Sequence, residues 1–277
     1  MTTISNMVSS IAAQRQFGHV NGLYNASLQK MATGSRINRG ADDPSGLIAS
    51  EQLGAALAAL EAESRGIERA DAVANVADGA LAEISGLLSD ANAATVAMAN
   101  TAGMSESERA AHQMEIDSAM QAADRIASTT RFNGQRVLDG SMTLSVGGAS
   151  VTIGNASTAS IGGVEGTAYR SADVKAGGAL DPMTNPEGAQ KSIASAISDI
   201  ATMRGQIGAF QANQLAPMQR ANAAAMENTA AARSAIRDTD YAAESAEVSR
   251  LGLLGAASLR ALGLANAAPE RVLRMLS

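Results

Sequence analysis

ISNMVSSIAAQRQFGHVNGLYNASLQKM, residues 4–31, places its apolar side chains at the three- and four-residue spacing of a helix. Ile4, Val8 and Ile11 form one set, and Phe17, Val20, Tyr24, Leu28 and Met31 form a second, shifted in phase across Arg15 and Gly18. The pattern predicts a helix whose buried face turns near those two residues, roughly 45 Å long at about 1.5 Å per residue. A helix with one apolar stripe needs something to cover it. The far end of the chain offers a match: Val248, Leu251, Leu262, Ala265, Val272 and Leu276 fall on one seam, which Gly255, Ser258 and Pro269 weaken. The economical solution pairs the two terminal helices as a coiled coil, residues 1–33 against 245–277. Helices this rich in Ala, Gly and Ser still leave apolar surface open when paired. Heterologous stacking against further copies would cover it, and contacts of that kind do not close, so they grow into fibres.

Composition agrees with long, closely packed helices. The 277 residues include 60 Ala, and 46% are hydrophobic, yet only 2% are aromatic. Ala is the best helix former, and a core lacking aromatic bulk has to be assembled from many small contacts. The net charge of −6 gives no basic stripe for phosphate, so nucleic acid is not an expected partner. No disulfide framework, thiolate nucleophile or Cys-based metal site is available, because Cys is absent. No continuous apolar run reaches the ~20 residues of a membrane span, and membrane insertion is not expected. The opening residues lack a basic region followed by an apolar stretch, so no cleaved secretory signal is expected.

Along the chain, TGSRINRGADDPSG (33–46) carries three Gly, a Pro and two adjacent Asp and reads as a linker. Beyond it, Leu53, Leu57, Leu60, Ile67, Ala74, Leu81 and Leu88 form one helical seam, and Val73, Val76, Ile84 and Leu87 a second, so this helix meets neighbours on two sides. SESE at 105–108 supplies an N-cap and first-turn acids to another helix running through Ile116, Met120 and Ile126. From Asn133 to about Pro186 Gly, Ser and Thr rise, and MTLSV and SVTIG, separated by Gly-Gly, predict a β-hairpin region. Helical spacing returns at Ile193, Ile197, Ile200, Ile207 and Phe210, with Pro217 expected to kink or interrupt it. The predicted class is mainly α: a long helical coiled-coil rod with a small β-hairpin region mid-chain. Its parts are a terminal coiled-coil domain (1–33, 245–277), a helical core (34–139, 187–244) and a short β-rich region (140–186).

Chemistry is sparse. His19 and His112 lack partners at zinc-ligand spacing, and the Gly-rich GGVEG and VGGAS have no Lys-Ser or Lys-Thr following to reach a phosphate. Asp42-Asp43 and Asp238-Thr239-Asp240 stand beside Arg36, Arg39 and Arg237 at helix boundaries, which favours capping or ion pairing over acid–base catalysis. No enzymatic activity and no cofactor is expected.

Three segments make a family resemblance specific. LQKMATGSRINRGADDPSGLIAS (28–50), EIDSAMQAADRIASTTRFNGQRVLDG (115–140) and NTAAARSAIRDTDYAAESAEVSRLGLL (228–254), with ALGLANAAPERVLRMLS at the end, resemble bacterial flagellin in order and position. The resemblance implies a coiled-coil domain of paired terminal helices, surrounded by a helical domain with a β-hairpin, with large outer domains absent because the middle is short. It implies a homopolymer forming the extracellular filament that drives swimming, and export in unfolded form through the flagellar type III apparatus. A secretion chaperone, hook-associated proteins and filament-cap proteins are the implied partners. Carried over residue by residue, Arg36, Asn38 and Asp43 near the linker, and Arg237, Asp238, Asp240 and Tyr241 at the C-terminal junction, are candidates for fixing register between subunits. Asn266, in a motif like the family's ANAAP, is the candidate contact for an assembly regulator. The alternatives carried beside this reading are a hook–filament junction protein and another secreted helical structural protein.

Overall fold

A computed structural model describes residues 2–100 and 103–276, with side-chain surroundings for 8, 10–100 and 103–267. The chain is mainly α. In order, α1 is Thr2–Thr33, α2 Pro44–Ala99, α3 Glu106–Thr129, α4 Pro186–Phe210, α5 Ala216–Arg237 and α6 Tyr241–Leu276. Two small antiparallel pairs lie between α3 and α4: β1 (Arg131–Phe132) with β2 (Gln135–Arg136), and β3 (Thr143–Val146) with β4 (Ala149–Thr152). Contacts group the chain into two units, Met1–Ala59 with Met226–Ser277, and Leu60–Ala225.

Local chemistry accounts for the element ends. α1 runs unbroken through the phase shift at Arg15 and Gly18. α2 begins at Pro44, inside the predicted linker, because proline suits a helix's first position and Asp43 Oδ1 accepts the Gly46 N–H at 2.9 Å. A capping box opens α3, as SESE predicts: Ser105 Oγ accepts the Glu108 N–H at 3.3 Å, and Glu108 Oε2 accepts the Ser105 N–H at 2.7 Å. Both hairpins turn on two residues with positive φ, Asn133-Gly134 (50° and 82°) and Gly147-Gly148 (56° and 86°), the combination whose twist matches paired strands.

In the Leu60–Ala225 unit the core lies among α2, α3, α4 and the β region. Ile67, Ala74, Leu81 and Leu88 bury one face of α2, and Ile84 and Val73 bury the offset one, although Val76 of that predicted second seam stays exposed. Ile116, Met120 and Ala123 of α3 and Ile193, Ile200, Ile207 and Phe210 of α4 complete it. Arg204 Nε to Asp78 Oδ1 at 2.7 Å and Gln211 Nε2 to Asp71 Oδ1 at 2.8 Å tie α4 and the turn after it to α2.

Two expectations needed correction here. The β region ends at Thr152, and residues 153–185 form a loop with one 3-10 turn, Ser171–Val174. Helix side chains take over the role of a strand partner for its backbone: Asp124 accepts from Thr158 N and Oγ1, both at 2.8 Å, Asp199 Oδ2 accepts from Gly162 N at 2.9 Å, and Arg109 donates to Met183 O at 2.8 Å. The stretch Tyr241–Ala267 of α6 also contains, by length and composition alone, an 18-residue window apolar enough to cross a membrane, with mean hydropathy 1.2. It contains no uninterrupted apolar run of that length, because its Leu and Ala are interspersed with Ser, Gly, Glu244, Glu247, Arg250 and Arg260.

Pro217 acts as expected, one step earlier than its own position. Gln211–Leu215 is a π-helical turn in which the Ala216 N–H reaches back five residues to Gln211 O. Proline has no N–H for the carbonyl four residues before it, and an extra residue in the preceding turn accommodates that gap.

Candidate assembly interface

The unit formed by residues 1–59 and 226–277 holds every candidate site residue read from the sequence. Its first feature is the α1–α6 pair. Val20 and Leu251 are buried between the helices, while Phe17, Tyr24, Met31, Val248 and Leu262 are half-buried. The helices pass at ordinary packing distance: a Cβ on Gly252 would lie 3.7 Å from Tyr24 Cε2, and one on Gly255 3.9 Å from Val20 Cγ1, so both glycines face the partner helix with room for a methyl group.

The seam differs from the predicted one at three positions. Val8, Ile11 and Leu28 are exposed, with Val8 at 62%. The covered face of α1 follows Val20, Tyr24, Ser27 and Met31, and Leu28 lies one residue, or about 100°, away from Ser27 around the helix. Ile4, Val272 and Leu276 lie outside the residues whose side chains are described. On α6, Leu253 (75% exposed), Leu254, Leu259 and Leu264 face outward with no cover.

Polar contacts fix the helices in register. Ser27, buried, donates from Oγ to Glu244 Oε1, with Lys30 Nζ 3.9 Å from the same oxygen. Ser10 Oγ donates to Asn266 Oδ1 at 2.6 Å, so the predicted regulator contact is engaged inside the chain. Periodicity counts apolar positions and therefore missed Ser10, Ser27 and Glu244. A serine recurring on the Val20–Tyr24–Met31 face was the available signal.

The second feature is the junction that brings the two candidate segments together. Gly34, at φ +69°, offers its carbonyl to the Thr239 N–H at 2.9 Å, and the Arg36 N–H donates to Arg237 O at 2.7 Å. The Arg36 guanidinium reaches Ile236 O at 2.5 Å, and Ser35 bridges to Asp238. Asn38 Nδ2 donates to Ser35 O at 2.8 Å, Arg237 Nη1 meets Glu51 Oε1 at 3.4 Å, and Asp238 accepts from Ser234 Oγ. Asp240 Oδ1 caps α6 by accepting from Ala242 N at 2.9 Å and Ala243 N at 3.1 Å. Tyr241 is exposed, but its hydroxyl covers Gly34, where a Cβ would come within 3.0 Å of it. Six of the seven thus gather at the junction, most of their polar atoms already used within the chain, while Asp43 caps the start of α2 instead.

Electrostatics follow from the same geometry. Asp42 is held below the ordinary carboxylate value of 3.8, chiefly by the N–H groups of Arg39 and Asn38 on Oδ2, at 2.8 and 3.0 Å. Asp43 is lowered by the Gly46 N–H, then by the Ser45 hydroxyl. Neither faces a second free carboxyl or a histidine that would take part in acid–base chemistry, and no group of three His, Cys, Asp or Glu suited to a metal occurs among the described residues.

A family model for the bacterial flagellin N-terminal helical region matches residues 4–143, and one for the C-terminal helical region matches 191–276. The chain belongs to the bacterial flagellin family. Over 99% of both sequences, this flagellin is 30% identical to the flagellar filament 30.7 kDa core protein of Treponema maltophilum and 30% identical to a flagellin of Halalkalibacterium halodurans. A flagellin of Bacillus subtilis is 27% identical, again over 99% of each chain. The interval between the matched regions, 144–190, contains the loop that the helices hold in place.

Proposed function

We propose that this flagellin is a structural subunit that polymerises into the bacterial flagellar filament for swimming motility. The observation that carries the reading is the set of exposed leucines that α6 leaves uncovered when paired with α1: Leu253 and Leu264 on one face, with Leu254 and Leu259 on the flanks. Side chains of this size exposed together mark an interaction surface, and further copies offer a cover that repeats along a fibre. In this reading the terminal pair (1–33, 245–277) is the inner layer, the helical segments 34–139 and 187–244 surround it, and 140–186 faces outward. Arg36, Asn38, Asp43, Arg237, Asp238, Asp240 and Tyr241 then act by shaping the junction that neighbouring subunits touch, with Tyr241 as the exposed side chain among them.

The reading extends to the life of the subunit. Export is unfolded, through the flagellar type III apparatus, with a chaperone holding the terminal helices. Hook-associated and cap proteins meet the chain at the two ends of the filament, and a regulator reading Asn266 competes with Ser10 for it. Seeded growth tests the central claim. Purified subunit added to filament fragments should elongate them, and a chain lacking residues 1–30 should not. A subunit that caps seeds without extending them would instead be a hook–filament junction protein.

A further inference from the structure

At the C-terminal end of α3, a groove of about 450 Å³ is lined by Arg125, Arg136, Asp124, Asp139, Leu138 and Asn155, among others. Its two carboxylates are already engaged. Asp124 accepts from Thr158 through both oxygens, and Asp139 Oδ1 accepts from Ser141 N and Oγ at 3.0 and 2.6 Å. Arg136 is near enough to contribute to lowering the Asp139 pKa, behind the Ser141 hydrogen bonds, yet neither guanidinium has an ion-pair partner within 4.0 Å among the described residues. Two exposed Arg forks on a chain of net charge −6 are thus left facing outward.

The complementary surface is on the same molecule. Glu61, Glu68, Glu83 and Asp90 are all exposed on α2, and none makes an ion pair or a side-chain hydrogen bond among the described residues. At about 100° per residue they fall within an arc of roughly 60° on one helix face. Between them lie Ala72, Gly79 and Gly86, with Arg65 as the one basic side chain in the arc, and a Cβ on Gly79 or Gly86 would meet nothing within 4 Å, so the backbone there is open to close approach.

We propose that Arg125 and Arg136 receive carboxylates from this acidic α2 face on a second copy. The inference rests on the filament reading and adds to it one specific charged contact. A groove on one part of the molecule that accepts a different part of the next is heterologous, the kind of contact that propagates a fibre. Arginine suits it because the planar fork binds a carboxylate through two parallel hydrogen bonds. Exposed charges at such a contact act mainly on encounter rate and register, so the contact is salt-sensitive.

The test is seeded elongation by full-length subunits, with circular dichroism of each variant alone to check folding. Arg125→Glu with Arg136→Glu should fold, and should elongate wild-type seeds at least tenfold more slowly in low salt. Glu83→Arg with Asp90→Arg should show the same loss, and a chain carrying all four changes should regain elongation on seeds of its own kind. Wild-type rates for the Arg125/Arg136 variant, or no recovery in the four-change chain, overturn the proposal. So does wild-type binding of inorganic phosphate that the Arg125/Arg136 variant loses while elongating normally, since the groove would then be a free-anion site. If wild-type subunits do not extend seeds at all, the filament reading itself fails.

Discussion

Gly162 shows how one residue sets the path of the loop between β4 and α4. It sits at φ +74°, its N–H donates to Asp199, its carbonyl accepts from Ser192 Oγ at 2.7 Å, and a Cβ there would lie 2.7 Å from Ser192 O. Left-handed backbone costs a non-glycine residue about 1–2 kcal/mol before any clash. Gly162→Ala should therefore lower stability by about 2 kcal/mol or more, read as an earlier midpoint in thermal unfolding. The helix-capping carboxylates act through charge instead. Asp42, Asp43 and Glu108 all titrate below their ordinary values because backbone N–H groups stabilise the ionised forms. A carboxylate with a depressed folded pKa contributes stability above its unfolded value and loses it as pH falls through the folded one. Helicity should hold down to the ordinary Asp value of 3.8 and decline below it, and Asp43→Asn should shift that acid decline. A decline that begins near neutral pH would contradict the assignment.

Among the elements, α2 and α6 behave differently for a reason visible in their faces. α2 buries Ile67, Ala74, Leu81 and Leu88 at heptad spacing, so within the Leu60–Ala225 unit it has a core to stand on. In α6, Leu251 is the buried large apolar residue among those described, and its outward leucines contribute nothing to the isolated chain. Leu251→Ala should cost the α1–α6 pair about 2 kcal/mol, the low end for a core truncation because the surroundings are half-open. Hydrogen exchange should register it as faster amide exchange in α1 and α6, with α3 and α4 unchanged. Helix periodicity located these elements well, and it predicted the existence of α1, α2, α3, α4 and α6 from apolar spacing alone. It did not reach the contact of Gln211, in the π turn before Pro217, with Asp71 and Asn75 on α2, because that pairing joins residues about 140 positions apart.

For the whole molecule, assembly is the missing part of its stability. A ligand that binds only the folded state raises its apparent stability by mass action, and in a homopolymer the ligand is another copy. Filaments should thus melt at a higher temperature than dissolved subunits, with the difference largest in signals from the terminal helices; equal melting would mean that the exposed leucines stay uncovered after assembly. The amino-acid sequence determined the helical class, the two terminal stripes, the capping box at Ser105 and the turns at Asn133-Gly134 and Gly147-Gly148, because each is set by neighbours within a few residues. Tertiary structure decided that Gly34 and Arg36 hydrogen-bond the backbone at Arg237 and Thr239, that Asn266 meets Ser10, and that residues 153–185 are a side-chain-held loop. Those contacts join positions up to 256 residues apart, and no local propensity specifies which distant donor meets which acceptor.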